Sequence, residues 1–505
     1  MTSRPTTLAE LLTAAADQAP DTTAIVDATG SLTFEELQHA ALLRASLLTG
    51  RNLGGQRVAL ISENSADMVA QIYANALAGV TTVFINARLQ PHEQVAQLRR
   101  SGAALWIGDD HAVDGLSNEI GETTDVQLLS LAAARPASLE QYPHPVVRAE
   151  DPAWLLYTSG TTGRSKGVVL THANVVAAAE NAGVARRFSS DEVLGLPFPL
   201  FHIAATNLLI AHLNHRPVVL ISGFEPAEVA TLIEQCRITA LSLAPTMVRR
   251  LIDYQRRAGA DLSSLRTVYY GAAPITPALL REAHEVLGCE FSQSYGMTEA
   301  AGMAVFLDAD AHRRGLAGEP ERLTQAGMPG PHITLRIVDD DGNDVPTGTI
   351  GEISLSGPQI FSDYDEESDV ARAERCRSGG FRSGDMGVID ANGALRVVDR
   401  KKDIIITGGE NVSSLEVEAA LCSHPSISAA AVVSRPDPEW GEAIVAAVVP
   451  TSNTFDEAVV RAFCRDSLAG FKRPKAYLVV DALPVNATGK IDKVAIRRLA
   501  RGEVH

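Results

Sequence analysis

The segment Tyr157-Thr158-Ser159-Gly160-Thr161-Thr162-Gly163-Arg164-Ser165-Lys166-Gly167-Val168 gathers glycines, hydroxyls and a lysine directly after an apolar run, Trp154–Leu156. Glycines let successive amides turn toward one point, and hydroxyls with an ammonium add donors, which is the chemistry of a phosphate cradle. The segment is not a Walker A loop, because no Gly-Lys-Ser/Thr stands where that motif needs one. A polar surface turn has the same composition, and residue types alone do not separate the two. Four other groups invite a chemical reading. Glu299, in Tyr295-Gly296-Met297-Thr298-Glu299, is a carboxylate suited to Mg²⁺ beside phosphates or, more plainly, to the start of a helix. Asp385, in Phe381-Arg382-Ser383-Gly384-Asp385, suits a vicinal diol or a turn. Asp399-Arg400-Lys401-Lys402-Asp403 reads as a solvated connection, and Lys490 alone as a solvated lysine.

These residues need a scaffold, and the pattern around them supplies one. Val58–Ile61 precedes the helical pattern Ser65–Ala78, Val80–Phe84 precedes Pro91–Arg100, and Pro217–Ile221 precedes Pro226–Gln235. Ala240–Leu243 precedes Thr246–Arg256, and Thr267–Tyr270 precedes Pro277–Leu287. Such alternation predicts βαβ units and a largely parallel sheet covered by helices, with ligands in the loops beyond the strands' carboxyl ends. From Ile333 the texture changes: Leu335–Val338, Glu352–Ser356 and Leu395–Val398 are separated by Asp341-Gly342 and Asn392-Gly393, which predicts a small antiparallel or barrel-like part. Beyond the charged run, helical Ser414–Leu421 and Asp456–Leu468 alternate with strands near Ala429–Val433, Ala443–Val449 and Ala476–Val480, enough for a separate α+β domain.

Composition agrees with a globular chain of more than one domain: 505 residues, 46% hydrophobic and 21% charged. A net charge of -17 repels a phosphate backbone and disfavours a general nucleic-acid role. Five scattered cysteines (Cys236, Cys289, Cys376, Cys422, Cys464) without metal-type spacing read as reduced thiols. Met1–Leu12 shows no charged-then-apolar signal pattern, and no apolar run is long enough to span a bilayer, so the expectation is a cytoplasmic protein without integral membrane contact.

In their order along the chain, the segments resemble the adenylate-forming superfamily of acyl-CoA synthetases, luciferases and nonribosomal adenylation domains. Its first signature is Tyr-Thr-Ser-Gly-Thr-Thr-Gly-x-Pro-Lys-Gly, and Ser165 replaces the proline. The resemblance implies an α/β fold: a large N-terminal adenylation domain with parallel sheets and a small barrel-like part (1–398), a hinge (399–402) and a mobile α+β C-terminal lid (403–505). It implies that Thr158, Ser159, Gly160, Thr161, Thr162, Gly163 and Lys166 hold ATP phosphates, with Thr158 and Glu299 at Mg²⁺. Gly271, Ala272, Ala273, Tyr295 and Gly296 then border the adenine, Thr298 meets the α-phosphate, Asp385 grips the ribose and Arg400 contacts the nucleotide. Lys402 is the pivot, and Lys490 bridges the substrate carboxylate and the α-phosphate during adenylate formation. ATP and Mg²⁺ are the implied cofactors and a small carboxylic acid the implied partner.

The acyl acceptor is read from the C-terminal part. Gly408-Gly409-Glu410-Asn411 resembles the segment that leaves room for a pantetheine arm, and Trp440, Phe471, Arg473 and Lys475 resemble residues of aryl-CoA ligases that hold CoA. CoA is therefore expected as co-substrate, with a carrier-protein thiol or nitrite as the rival acceptors. A non-enzymatic ATP-binding module is the weaker alternative, because Lys490 and Glu299 are both present. For the acid, His202 matches a residue at the pocket mouth, and Ser242, Tyr270 and Ser294 fall where relatives line the pocket; hydroxyls there suggest a short or aromatic, hydroxylated acid. A homodimer is compatible with this reading.

Overall fold

Parallel strands that are covered on both faces need apolar residues at nearly every position, and the runs Arg57–Ile61, Thr81–Phe84 and Ala240–Leu243 meet that need. The helices between them begin where proline supplies a preset φ and lacks only a donor that a first turn leaves unpaired, as at Pro91, Pro226 and Pro245. The computed structural model describes residues 4–120, 126–136, 138, 145–158, 166–273, 275–361, 363–365, 379–452, 455–485 and 491–503.

Within these residues the chain forms two compact units. One comprises Met1–Ile275, Leu279–Thr334 and Leu355–Gly379, the other Thr276–Ala278, Leu335–Ser354 and Gly380–His505. The first unit holds two sheets. In the larger, Glu290–Met297, Thr267–Gly271, Ala240–Leu243, Leu194–Leu196, Val218–Leu220 and Thr23–Asp27 lie side by side in parallel, with antiparallel strands at both edges. In the other, Pro152–Thr158, Thr81–Phe84, Arg57–Ile61, Leu105–Gly108 and Gln127–Ser130 run parallel, and Lys166–Thr171 joins antiparallel. One face of the larger sheet packs Leu241, Leu243, Val268, Tyr270 and Phe291 onto Ile233, Val248, Leu251 and Leu280 of the helices Pro226–Cys236, Pro245–Ala258 and Pro277–Leu287.

The second unit contains a four-stranded sheet in the order Thr334–Val338, Gly351–Ser356, Phe381–Ile389, Leu395–Arg400. It also contains an α+β part in which Gly441–Pro450 pairs with Ile427–Asp437 and with Ala476–Val479. The antiparallel part expected at the end of the N-terminal domain is thus compact with the C-terminal residues. Asp399 supplies the physical reason: its Oδ2 accepts from Ser414 N and, at 2.7 Å, from Ser414 Oγ. A strand-end carboxylate thereby holds the N-terminus of the helix Ser414–Cys422. The four described cysteines are free; Cys289 and Cys464 are buried, and Cys376 lies outside the described residues. No described helix is long and apolar enough to cross a membrane.

Candidate active site

Two described strands flank the glycine-rich segment. Pro152–Thr158 and Lys166–Thr171 pair antiparallel with Thr158 opposite Lys166, and Thr158 Oγ1 donates to Lys166 O at 3.4 Å. Ser159, Gly160, Thr161, Thr162 and Gly163 lie outside the described residues; the two ends of the loop do not. Lys166 is exposed, with Nζ 4.8 Å from the ring centroid of Tyr364. The same tyrosine donates its hydroxyl to Glu299 Oε1 at 2.8 Å. Lys166 and Glu299, 133 positions apart by their numbers (299 − 166), therefore meet through one side chain that sequence reasoning missed. Asp363–Tyr364 is held as a short strand against Val168 and Val169, and Asp365 is fixed by donation to Gly167 O (2.7 Å) and by Arg57, whose Nη2 donates to Asp365 Oδ1 at 2.7 Å. No local pattern announces Tyr364, because its partners come from two distant segments.

The strand Glu290–Met297 carries Tyr295 and Gly296 and runs into a 3₁₀ turn, Thr298–Ala300, with Thr298 buried and Glu299 half-buried. A Cβ on Gly296 would lie 1.8 Å from Gly302 O, so the glycine is required by the neighbouring strand whether or not a ligand is present. Gly271 pairs with Ser294, next to Tyr295, and Ala272 and Ala273 follow it, exposed. Ala272 adopts φ +68°, a left-handed conformation that costs a non-glycine residue on the order of 1 kcal/mol and that marks this strand-to-helix turn as constrained. His202 caps the 3₁₀ turn Ile203–Ala205, accepting at Nδ1 from Ala204 N across 3.5 Å. The following Thr206 donates to Ala301 O at 3.0 Å, which clamps this segment to the turn after Glu299.

Register decides the face that the expected acid pocket presents. Ser242 pairs with Tyr269, Tyr269 with Ser292, and Gly271 with Ser294, so Ser242, Tyr269 and Ser294 share one face of the sheet. Tyr270 does not join them. Its side chain is in the helix-side core, and its hydroxyl meets His312 Nε2 at 2.9 Å. The tyrosine on the face of Ser242 and Ser294 is Tyr269, buried, with the Arg186 guanidinium 4.4 Å over its ring. Arg186 also donates to Asn207 Oδ1 (2.8 Å) and Ser294 Oγ (3.2 Å). Burial pushes the Arg186 guanidinium down to about 10 and raises the nearby Glu192 carboxyl.

In the second unit, Asp385 and Arg400 are cross-strand partners, and Arg400 Nε donates to Asp385 Oδ1 at 2.8 Å. Lys402 is exposed in the 3₁₀ turn Lys401–Asp403, between two anchored neighbours: Lys401 donates to Asp340 Oδ1 (2.6 Å), and Asp403 is bonded by Arg497. Lys490 lies outside the described residues; the described residues on either side, Val485 and Ile491, form an antiparallel bridge. Of the residues expected at CoA, Gly408, Trp440 and Lys475 come together. Gly408 N donates to Trp440 O at 2.8 Å, and Lys475 Nζ lies 4.2 Å from the Trp440 ring centroid. At φ +59° and 3.0 Å from Trp440 Cε3, Gly408 has neither the conformation nor the room for a Cβ, while Gly409 is open. Phe471 packs against the C-terminal core. Arg473 is turned elsewhere: Nε donates to Leu468 O (2.9 Å) and Nη2 to Arg465 O (3.0 Å), which satisfies carbonyls at the end of the helix Glu457–Ser467.

The model of the AMP-binding enzyme family matches residues 12–365, and that of the AMP-binding enzyme C-terminal domain matches residues 416–490. The chain belongs to the AMP-binding enzyme family. Among its relatives, feruloyl-CoA synthase of Amycolatopsis sp is 37% identical over 488 residues, covering 96% of this chain and 97% of the relative. The structure of o-succinylbenzoate CoA synthetase from Bacillus subtilis with its acyl-adenylate intermediate superimposes with a TM-score of 0.86 at 29% identity, covering 97% of each chain. The same enzyme with ATP and magnesium ion gives 0.85 at 29% identity, with 95% and 98% covered. Amide bond synthetase McbA from Marinactinospora thermotolerans gives 0.86 at 32% identity, with 97% and 99% covered.

The donor set fits the family's cofactors. Mg²⁺ in phosphate sites takes one or two carboxylates and completes its octahedron with phosphate oxygens and water. Glu299, oriented by Tyr364 on one oxygen, is such a carboxylate, and no cluster of three or more acidic, histidine or cysteine side chains exists among the described residues to cage an ion without a nucleotide.

Proposed function

We propose that this AMP-binding enzyme is an ATP-dependent acyl- or aryl-CoA ligase, which forms an acyl-adenylate with loss of pyrophosphate and then transfers the acyl group to CoA with release of AMP. The observation that carries the first step is the Lys166–Tyr364–Glu299 contact, which puts a cation and a carboxylate beside the glycine-rich segment. Lys166 and the loop donors bind the phosphates, and Glu299 holds Mg²⁺, which when bound neutralises charge on the departing pyrophosphate. Thr298 and Lys490 bind the α-phosphate and the attacking carboxylate, and His202 stands at the acid's entrance. Asp385, held by Arg400, accepts from the ribose hydroxyls. For the second step, the region from 403 onward turns about Lys402 as a lid; an exposed pivot between anchored neighbours supports that role. The grouping of Gly408, Trp440 and Lys475 supports CoA, since it joins an aromatic face, a cation and a backbone without side chains. The place of reaction is the cytoplasm, and a homodimer would leave each site within one chain.

The test is stepwise. Carboxylate-dependent pyrophosphate release from ATP is expected without CoA, and AMP and thioester should accumulate only when CoA is added. Absence of pyrophosphate release with every acid of a broad aryl and short-chain panel overturns the reading. Release followed by CoA-independent turnover, with an amine or carrier-protein thiol as acceptor, overturns the CoA assignment alone.

A further inference from the structure

Arg186, the last residue of the helix His172–Arg186, takes no part in the adenylation chemistry described above. Its guanidinium touches Asn207, Ser294, the sulfur of Met303 and the Tyr269 ring, all neutral groups. Among the described residues no carboxylate oxygen comes within ion-pair distance of it. Glu192 acts on it through space only: its Oε2 accepts from Ser189 N (3.1 Å) and Tyr269 Oη (3.3 Å), and its buried Oε1 has no hydrogen-bond partner. Arg186 is half-buried and its direct hydrogen-bond and ring partners are all neutral, so a ligand oxygen would add the acceptor that no carboxylate supplies by direct contact.

Position gives this cation a use. Ser294, which it touches, immediately precedes Tyr295 in the strand Glu290–Met297 and shares the sheet face of Ser242 and Tyr269. On its other side Arg186 lines a polar cavity of about 220 Å³ near the starts of the same strands, beside Glu192, Thr239, Thr267 and Ser292. The side chain therefore stands between the acid face and that cavity.

We propose that Arg186 is the specificity-determining floor of the acid pocket, selecting carboxylic acids that carry an oxygen acceptor at the end remote from the reacting carboxylate and excluding plain alkyl chains. The proposal rests on the reading of the Ser242–Tyr269–Ser294 face as the seat of the acid. A hydroxyl, carbonyl or carboxylate oxygen accepts from the guanidinium and replaces the water it displaces. A methyl terminus displaces that water and returns nothing, and sites built around a polar contact discriminate strongly against such analogues. Removing the guanidinium also opens the floor toward the cavity, so a longer chain gains room.

Pyrophosphate release with the wild-type protein and three length-matched acids (cinnamate, 4-hydroxycinnamate and 4-carboxycinnamate), plus octanoate, tests this. The expected result is a kcat/KM at least about tenfold higher for one or both oxygen-bearing acids than for cinnamate, with octanoate lowest. The two para substituents separate a neutral acceptor from an anionic one. Arg186→Met should reduce the preference to within about threefold and raise the rate with octanoate, with KM for ATP unchanged; Arg186→Lys should keep part of the preference. Equal rates for all three cinnamates in the wild type overturn the proposal, and this arm needs no variant to fold. An unchanged preference in Arg186→Met overturns it as well. If no acid supports pyrophosphate release, it is the ligase reading that fails instead.

Discussion

The two ends of the chemistry are built differently. In the first unit, the polar groups proposed for the phosphates, Mg²⁺ and the acid are held by partners from distant segments: Glu299 by Tyr364, the Tyr364 segment by Arg57 through Asp365, and Arg186 by Asn207 and Ser294. In the second unit, the residues proposed for the pivot and for CoA are more open: Lys402, Gly408 and Gly409 are exposed on turns, and the Lys475–Trp440 contact is a cation over a half-buried ring. The difference follows from what each end does. Charge that develops on a phosphate is stabilised best by groups already in place, whereas a pivot and an entry for a long cofactor arm must remain free to move.

The largest effect that sharpens this contrast is expected at Glu299. Glu299→Gln should lower the rate of pyrophosphate release by at least about a hundredfold, and Tyr364→Phe, which removes only the group orienting that carboxylate, by about tenfold with a raised Mg²⁺ requirement. Titrating Mg²⁺ in both variants reads the two effects apart; a Tyr364→Phe enzyme with an unchanged Mg²⁺ dependence would remove Tyr364 from the site.

Next in size is an acid sensitivity that should fall on the first unit. His172 and His212 are buried there, and burial holds each down to about 4, below the ordinary value of 6.5. His172 is used in its neutral form, accepting at Nδ1 from Leu8 N across 3.3 Å. The unfolded chain binds these protons at higher pH than the folded one, so their contribution is fully present above about pH 6.5 and is lost as pH falls toward 4. The slope within that window is roughly 1.4 kcal/mol per pH unit for each histidine. Urea midpoints at pH 7, 6 and 5 should decline accordingly, and His172→Gln should flatten the decline; a midpoint independent of pH would contradict the neutral buried state.

A smaller effect divides two adjacent tyrosines. Tyr270→Phe loses a hydroxyl in the helix-side core and should cost about 1 kcal/mol in denaturant unfolding without changing which acids are activated. Tyr269→Leu removes the ring beneath Arg186 and should change acid preference several-fold at unchanged KM for ATP. The reverse pattern would put the acid on the other face of the sheet.

The smallest effect belongs to the acceptor end. Lys475→Ala should raise KM for CoA by a few-fold while leaving pyrophosphate release unchanged, in keeping with a half-exposed cation at an aromatic face, worth about 0.5–1 kcal/mol. Arg473→Ala should instead lower the thermal midpoint through the loss of its bonds to Leu468 O and Arg465 O, with little change in KM for CoA. A raised KM in Arg473→Ala and none in Lys475→Ala would restore the roles expected from the motif.

The chemistry was legible wherever it is carried by contiguous residues. Thr158, Lys166, Glu299 and Asp385 could be singled out as candidates because a turn that binds phosphate, metal or ribose needs particular residue types at fixed spacing, and proline-led helices between apolar runs announce the parallel sheet. Tyr364 and Arg186 carried no such signal, since what defines them is contact with Glu299 and Ser294 across 65 and 108 positions. Arg473 was singled out as a basic residue beside a phenylalanine, and nothing in the sequence signalled that its guanidinium bonds the carbonyls of Leu468 and Arg465.

The paired tyrosines mark the boundary most sharply. Sequence alone determined that Tyr269 and Tyr270 lie on a strand and point to opposite faces, because side chains alternate along extended backbone. It did not determine which of the two faces the proline-led helices cover. Both faces of a parallel sheet are covered, so its strands are apolar throughout and lack the in–out pattern that fixes orientation at a solvent-facing sheet. Only the packing of the helices Pro226–Cys236, Pro245–Ala258 and Pro277–Leu287 against Val268 and Tyr270, with Arg186 over Tyr269, made that choice.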